Sequence, residues 1–183
     1  MLLAPPTAHV NGLDGFFDAH KSLTLLHILP AALLFVLLPL QFLPRFRTRY
    51  PRWHRWSGRA ILILGAIAAL TAIVMSFTMS IGGATESAAT ILFALFFLAF
   101  LALGYRAIRR HKIAQHREWM LRAFGVALGI ATIRPIIGVF FATRRLQPEQ
   151  FFGIAFWLGF SVTLLAAEIW IRSTRPIPTS APV

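Results

Sequence analysis

Cysteine is absent from the 183-residue sequence, and acidic residues are scarce. Without a thiolate, the chain cannot form a disulfide, a thiolate metal site, an iron–sulfur cluster or a covalent thioether link to haem. Six Asp and Glu stand against eighteen Lys and Arg, which gives a net charge of +12, yet only 13% of the residues are charged. Soluble domains have roughly a quarter of their residues charged, so the composition argues against a soluble fold.

Apolar residues are abundant instead: 57% of the chain is hydrophobic and the mean hydropathy is +0.70. They are concentrated in five runs of roughly 20 residues, the length that crosses a hydrocarbon core of about 30 Å. The runs cover approximately 22–43, 59–81, 86–107, 119–142 and 151–171. None shows the two-residue alternation of a membrane strand. The sequence therefore predicts an all-α fold, an integral membrane helical bundle of about five transmembrane helices.

The distribution of cations predicts the orientation of this bundle. The connections after the first and third runs, together with the C-terminal tail, carry fourteen Lys and Arg, whereas the loops on the other side carry three. Because cations resist translocation, we expect the N-terminus outside and the C-terminus in the cytoplasm. Residues 1–20, which lack the basic start of a secretory signal, are predicted to form an extracytoplasmic segment. Residues 21–172 would form the bundle and 173–183 a disordered cytoplasmic tail.

The charge of +12 would suggest nucleic-acid binding in a soluble protein. Here the cations lie between apolar runs, where they indicate contacts with the lipid bilayer and with anionic headgroups at the basic cytoplasmic connections. The stretch from Arg52 to Trp56 alternates cations with indoles, which is typical of a segment lying at the headgroups. We therefore expect lipid partners and no nucleic acid.

Two polar residues of the first run share one face of the predicted helix. Gln41 follows His27 by 14 positions, which places the two side chains about 40° apart around the helix axis. Pro30 and Pro39 lie in the same run and predict a kink. Two interpretations of His27 stay open: a hydrogen bond to a neighbouring helix, or a residue of a binding site.

Arg134 lies well inside the fourth run, immediately before Pro135. A guanidinium at such a depth is expected to face the bundle interior or a wet cavity and to find acceptors there. His27 and Glu86 are the nearest partners by depth. Arg134 is thus predicted either to belong to a binding site or to form a structural ion pair with Glu86.

Two further histidines open helices on the cytoplasmic side at a similar depth, His54 in the second and His116 in the fourth. Two imidazoles at one depth could ligate haem b, with Arg59 and Arg122 beside the propionates. The same pair could bind a metal or hydrogen-bond a quinone. The alternative is an interfacial cluster that holds no cofactor.

The remaining motifs indicate packing and ion pairing. Glu168, near the cytoplasmic end of the fifth run, is expected to pair with an arginine of a basic connection. Gly125 and Gly129 have the spacing that permits close helix packing. There is no phosphate-binding loop, nucleophile elbow or zinc-protease motif, so no catalytic residue is predicted and hydrolysis is not expected.

The elements that stand out by depth and spacing also carry a family resemblance. They are His27 with Pro30 and Gln41-Phe42, then His54-Arg55-Trp56-Ser57-Gly58-Arg59, then His116-Arg117-Glu118-Trp119-Met120-Leu121-Arg122, and finally Arg134. From about residue 20 to 172, the chain resembles the bacterial membrane proteins grouped as domain of unknown function 2306. The resemblance implies a compact multi-helix protein of the bacterial inner membrane and transfers no activity.

Two functional hypotheses follow. The first is a b-type haem or quinone-linked electron-transfer subunit that uses His54 and His116 and works with a membrane redox partner. The second is a non-enzymatic accessory, assembly or lipid- and ligand-binding membrane protein. The second is favoured because interfacial clusters of His, Trp and Arg commonly form without any cofactor.

Overall fold

The computed structural model describes residues 20–143 and 146–175, and every regular element in this part of the chain is an α-helix. In chain order the helices are α1 (Lys21–Phe42), α2 (Pro44–Arg49), α3 (Pro51–Thr78), α4 (Gly83–Arg109), α5 (Ile113–Thr143) and α6 (Pro148–Ser173). Five of them, all except α2, are long and apolar enough to cross a membrane. The predicted all-α fold is confirmed, and the predicted orientation stays a prediction. Most of the predicted N-terminal segment and residues 176–183 of the predicted tail lie outside the described residues.

Several helices extend beyond the apolar runs that predict them. The second run begins near Arg59, but α3 begins at Pro51, where proline at the first helical position is preorganised for a helix start. Similarly, α5 begins six residues before the fourth run and contains 31 residues, or about 46 Å of helix. Hydropathy marks only the part of a helix that would lie in hydrocarbon. The basic residues at the helix ends are therefore not included in the apolar runs.

The chain divides into two compact units, residues 1–80 and 81–183. In the first unit, α1 packs along α3. The buried residues of α1 are Pro30, Leu34 and Leu38, which recur every four positions and therefore form one stripe along the helix. Small residues of α3, including Gly65 and Ala68, are buried in the same unit, and the Ala68 carbonyl oxygen lies 3.0 Å from Nδ1 of His27 in α1.

In the second unit, α5 and α6 pack closely through glycines. A Cβ atom on Gly129 would lie 2.3 Å from Cδ1 of Phe160, and one on Gly125 would lie 2.8 Å from Cβ of Ala167. Gly159 of α6 makes an equally close approach to α5. The packing role predicted for Gly125 and Gly129 is confirmed, because any larger residue there would force the helices apart.

The turn between α4 and α5 occupies only three residues. His111 has a φ of 58°, the left-handed conformation that glycine usually adopts after a helix. The N–H of His111 donates to the Ile108 carbonyl and that of Lys112 to the Ala107 carbonyl, each at 3.0 Å. These two bonds define a Schellman motif. The motif joins α4 directly to α5 and places Arg110 and Lys112 at one end of the second unit.

Candidate functional site

Polar side chains of α1 bond to α3 in the first unit. The Nδ1 atom of His27 lies 3.0 Å from the Ala68 carbonyl oxygen and 3.0 Å from Oγ1 of Thr71. A carbonyl can only accept, so Nδ1 carries the proton. Gln41 donates from Nε2 to Oγ of Ser57 at 2.7 Å. The shared face predicted for His27 and Gln41 is confirmed, and His27 makes the neighbouring-helix hydrogen bond that was one of its two interpretations.

The first unit also carries a basic stretch, residues 44–59, which we call the interfacial segment. It comprises α2 and the first turns of α3. All six of its arginines are exposed, and none has a carboxylate partner among the described residues: Arg45, Arg47, Arg49, Arg52, Arg55 and Arg59. Trp53 and Trp56 are each 68% exposed. The guanidinium of Arg59, a predicted cofactor-binding residue, lies over the Trp56 ring at 5.6 Å.

His54 lies within this segment, in the first turn of α3. Its side chain is half-buried, and its backbone N–H donates to the Tyr50 carbonyl at 3.0 Å. The local fold follows from Pro51, which begins α3 and places His54 one turn from its start. The structure thus positions His54 at a helix start, as predicted, beside exposed arginines and indoles.

His116 occupies a comparable position in the second unit, in the first turn of α5. Its half-buried imidazole donates from Nδ1 to the Gly104 carbonyl oxygen of α4 at 2.9 Å. A Cβ on Gly104 would come within 3.1 Å of Cε of Met120, so the glycine allows α5 to approach this carbonyl. With Nδ1 as the donor, Nε2 of the neutral ring keeps its lone pair.

A cluster of arginines and glutamates connects the start of α5 with the end of α6. Glu168 accepts from Arg122 at 2.9 Å and from Arg172 at 3.1 Å, which confirms its predicted pairing with an arginine. Glu118 binds Arg175 through two hydrogen bonds of 2.8 Å and lies 3.7 Å from Arg122. We call these five residues the arginine–glutamate cluster. The hydrogen bond to Glu118 raises the pKa of Arg175.

Sequence reasoning missed part of this cluster. Arg175 falls in the predicted disordered tail, yet it makes a bidentate pair with Glu118. The available signal was the four-residue spacing of Glu118 and Arg122, which is typical of an ion pair on a helix. Arg122 was predicted to face a cofactor carboxylate. The structure gives it protein carboxylates instead, with its guanidinium 4.7 Å from the centre of the Trp119 ring.

The predicted ion pair between Arg134 and Glu86 is wrong. Glu86 is 8% exposed, and its carboxylate accepts the Gly82 N–H at 2.6 Å. The start of α4 offers an unbonded N–H and a favourable helix dipole, so the carboxylate folds back onto its own helix. Arg134 is exposed on α5 and makes no ion pair with a described residue. Its exposure contradicts a place in the bundle interior, whereas a wet cavity or a binding site around Arg134 stays a prediction.

The exposure of Arg134 has a physical explanation in the length of α5. Arg134 lies nine residues, about 14 Å, before the end of a helix that is longer than the hydrocarbon core. A long arginine side chain can extend from that depth towards the polar interface. Within residues 20–143 and 146–175, no three His, Asp or Glu side chains form a group that could hold a metal ion.

Five apolar helices, with no strand in the described part of the chain, define a multi-pass α-helical membrane protein. The chain belongs to the family described as predicted membrane protein (DUF2306), whose model matches residues 24–171. The resemblance found in the sequence is thereby confirmed. No curated protein and no solved structure matches the chain.

Proposed function

We propose that the chain is a non-enzymatic protein of the bacterial cytoplasmic membrane that binds anionic lipid headgroups through the interfacial segment. The observation that carries this proposal is the set of six exposed arginines without a carboxylate partner among the described residues. Near an anionic membrane surface, each basic residue contributes about 1 kcal/mol of attraction. A segment that neutralised its own arginines would lose this attraction.

The aromatic residues of the segment support the same function. Trp53 and Trp56 are largely exposed, and indole rings prefer the boundary between headgroups and acyl chains. Pro44 and Pro51 begin α2 and α3 and set the two bends of the segment. A short helix followed by exposed indoles can lie along the membrane surface with its cations towards the phosphates.

The predicted orientation places the interfacial segment at the cytoplasmic face. There, bacterial membranes present anionic headgroups, and the excess of Lys and Arg satisfies the positive-inside rule. A protein held to anionic lipid in this way could act as an accessory or assembly factor for other membrane proteins. The second unit adds exposed cations on the same predicted side.

The test compares two variants that each lose two positive charges. Arg52→Gln/Arg55→Gln removes cations beside the exposed tryptophans, and Lys21→Gln/Arg134→Gln removes exposed cations elsewhere. Native mass spectrometry from nanodiscs would count retained phosphatidylglycerol and phosphatidylcholine. We expect the first variant to bind phosphatidylglycerol about 30-fold more weakly, since each charge contributes about 1 kcal/mol. Equal retention of both lipids by the unmodified protein would overturn the proposal.

A second candidate function is electron transfer through b-type haem or a quinone, with His54 and His116 as the binding histidines. The specific observation in its favour is the hydrogen bond from Nδ1 of His116 to the Gly104 carbonyl. Histidines that ligate metals generally donate their other N–H to such an acceptor, which orients Nε2. The pairing of Arg122 with Glu168 counts against it, because that guanidinium was the predicted propionate partner.

An absorption spectrum separates the two candidates. The protein would be purified from a haem-replete host and measured oxidised and after reduction with dithionite. A Soret band that His116→Ala or His54→Ala abolishes would support the redox function. A spectrum without such a band, combined with selective retention of phosphatidylglycerol, would leave the lipid-binding function as the better account.

A further inference from the structure

A cleft of about 250 Å³ opens beside the α4–α5 turn of the second unit. Three cationic side chains line it, those of Arg106, Arg110 and Lys112. The Gln115 amide and the Trp119 indole lie on the α5 side. The cleft therefore combines three positive charges, an amide that can donate or accept, and an apolar ring.

The three cations have no ion-pair partner among the described residues. The carboxylates of Glu118 and Glu168 pair with the arginines of the arginine–glutamate cluster, and Glu86 accepts the Gly82 N–H at the start of α4. In the described part of the chain, no carboxylate lines the cleft. The second unit thus neutralises one set of cations and leaves this set open to an external anion.

The local fold holds these three cations close together, and the repulsion between them lowers the stability of the helix end. Arg106 and Arg110 are one helical turn apart, a spacing at which like charges destabilise a helix. Lys112 is placed by the Schellman motif, whose His111 adopts the left-handed conformation. An anion bound between the three side chains would turn this repulsion into attraction.

We propose that the α4–α5 cleft binds a phosphate group, supplied either by a phospholipid headgroup or by a free phosphate compound. Guanidinium groups bind phosphate oxygens in a bidentate manner, and an ammonium group adds a point charge. The volume accommodates a phosphate together with part of its substituent. On the apolar side, Trp119 stacks on Phe100 with the ring centroids 5.7 Å apart, a wall suited to a hydrophobic substituent. This site does not depend on lipid binding by the interfacial segment.

The lysines of the chain provide a direct test. Lys21 and Lys112 are the only two, so acylation of Lys21 serves as an internal control for acylation of Lys112. The full chain would be labelled with a lysine-reactive ester and the rates compared by mass spectrometry. One arm adds inorganic phosphate in detergent, with chloride at equal ionic strength as its reference. The other places the protein in phosphatidylglycerol or phosphatidylcholine nanodiscs.

We expect phosphate or phosphatidylglycerol to slow acylation of Lys112 at least about fivefold and to leave that of Lys21 unchanged. Protection in the nanodisc arm alone identifies a lipid headgroup, and protection by inorganic phosphate identifies a free phosphate compound. Arg106→Gln/Arg110→Gln should abolish the protection. Arg106→Lys/Arg110→Lys, which keeps the charge but loses the planar fork, should retain part of it.

Two results would overturn the site. One is equal acylation of Lys112 in all conditions, and the other is protection that survives Arg106→Gln/Arg110→Gln. The charge-matched variant Arg52→Gln/Arg55→Gln should keep the protection of Lys112 even though it weakens binding at the interfacial segment. This variant makes the two proposals separable, because it removes arginines of the interfacial segment and leaves the cations that line the cleft in place.

Discussion

The two units differ in how they pair their arginines, because among the described residues only the second unit has arginine–glutamate ion pairs. In the first unit, the six arginines of the interfacial segment have no carboxylate partner among the described residues. In the second, Glu118 and Glu168 bind three arginines that tie the end of α6 to the start of α5. Arginines with protein partners hold helices together, whereas arginines without them remain available to anions from outside the chain.

Helix packing differs between the units as well. The described contact of α1 with α3 includes the hydrogen bonds of His27 and Gln41, which in membrane proteins contribute little each. The contact of α5 with α6 relies on glycines such as Gly129, where the backbones come close enough that a single added carbon would clash. The stability of the second unit is therefore expected to be more sensitive to an increase in side-chain size at the helix contact.

The largest expected effect is that of Gly129→Ala. Its new Cβ would lie 2.3 Å from Cδ1 and 3.1 Å from Cα of Phe160, so α5 and α6 must separate. We expect the free energy of unfolding to fall by about 3 kcal/mol, measured as a lower Tm in detergent. Gly138→Ala, in the same helix with no atom within 4 Å, should instead raise stability slightly.

A matched substitution in the first unit sharpens the contrast. At Gly58 the nearest atom to a new Cβ is Oε1 of Gln41 at 3.5 Å, an ordinary contact. Gly58→Ala should therefore be tolerated. If Gly129→Ala melted no lower than Gly138→Ala and Gly58→Ala, close packing would not distinguish the second unit from the first.

The next prediction compares the loss of stability on replacing an arginine that has an ion pair with the loss on replacing one that has none. Arg122→Gln removes two charge-assisted bonds to Glu168, and we expect a loss of about 2 kcal/mol because such bonds are among the stronger ones. Arg55→Gln, at an exposed residue without an ion pair, should change stability by less than about 0.5 kcal/mol. A double-mutant cycle with Glu168→Gln would assign the loss to the pair. Equal shifts in Tm for the two arginine variants would mean that the ion pairs of Arg122 contribute no more to stability than an exposed arginine without an ion pair.

A smaller effect of opposite sign is expected at the α4–α5 turn. His111→Gly relieves a left-handed backbone conformation and should raise the free energy of unfolding by about 1 kcal/mol. His111→Ala, which retains the Cβ, should leave stability near that of the unmodified protein. In the first unit, α2 and α3 begin at Pro44 and Pro51, and none of its described residues has a positive φ, so no equivalent gain is expected among them. A Tm for His111→Gly at or below that of His111→Ala would contradict the inference that the left-handed conformation of His111 lowers stability.

Much of the fold could be predicted because lipid imposes a simple pattern. The five spanning helices follow from runs of apolar residues, which only a helix can carry through hydrocarbon. The six-residue helix α2 was not predicted. His54 was placed at the opening of the second helix, but the apolar run begins only near Arg59 and does not mark the start at Pro51. Both segments consist of basic and aromatic residues at the membrane boundary, where proline at a helix start is a better signal than hydropathy.

The candidate sites were predictable where one helix determines the geometry. The shared face of His27 and Gln41 follows from their spacing, and the pairing of Glu168 follows from the cost of an isolated carboxylate. The partner of Arg134 was predicted wrongly because matching by depth ignored the N–H that Gly82 offers to Glu86. The cleft beside Lys112 was missed because it depends on a three-residue turn that brings two helices together.

The smallest effect tests whether the polar contact of the first unit is structural or functional. His27→Leu removes the bonds to Ala68 and Thr71, but Thr71 still donates to the Ile67 carbonyl at 2.7 Å, so no buried donor is left unsatisfied. We expect a loss of only about 0.6 kcal/mol, the average for such bonds in membrane proteins. Gln41→Leu, which breaks the bond from Gln41 to Ser57 between the same two helices, is the matched control. A Tm shift for His27→Leu well beyond that of Gln41→Leu would mean that polar bonding, and not apolar packing, holds the first unit together. If lipid retention changed while Tm did not, His27 would belong to a binding site rather than to the structural contact.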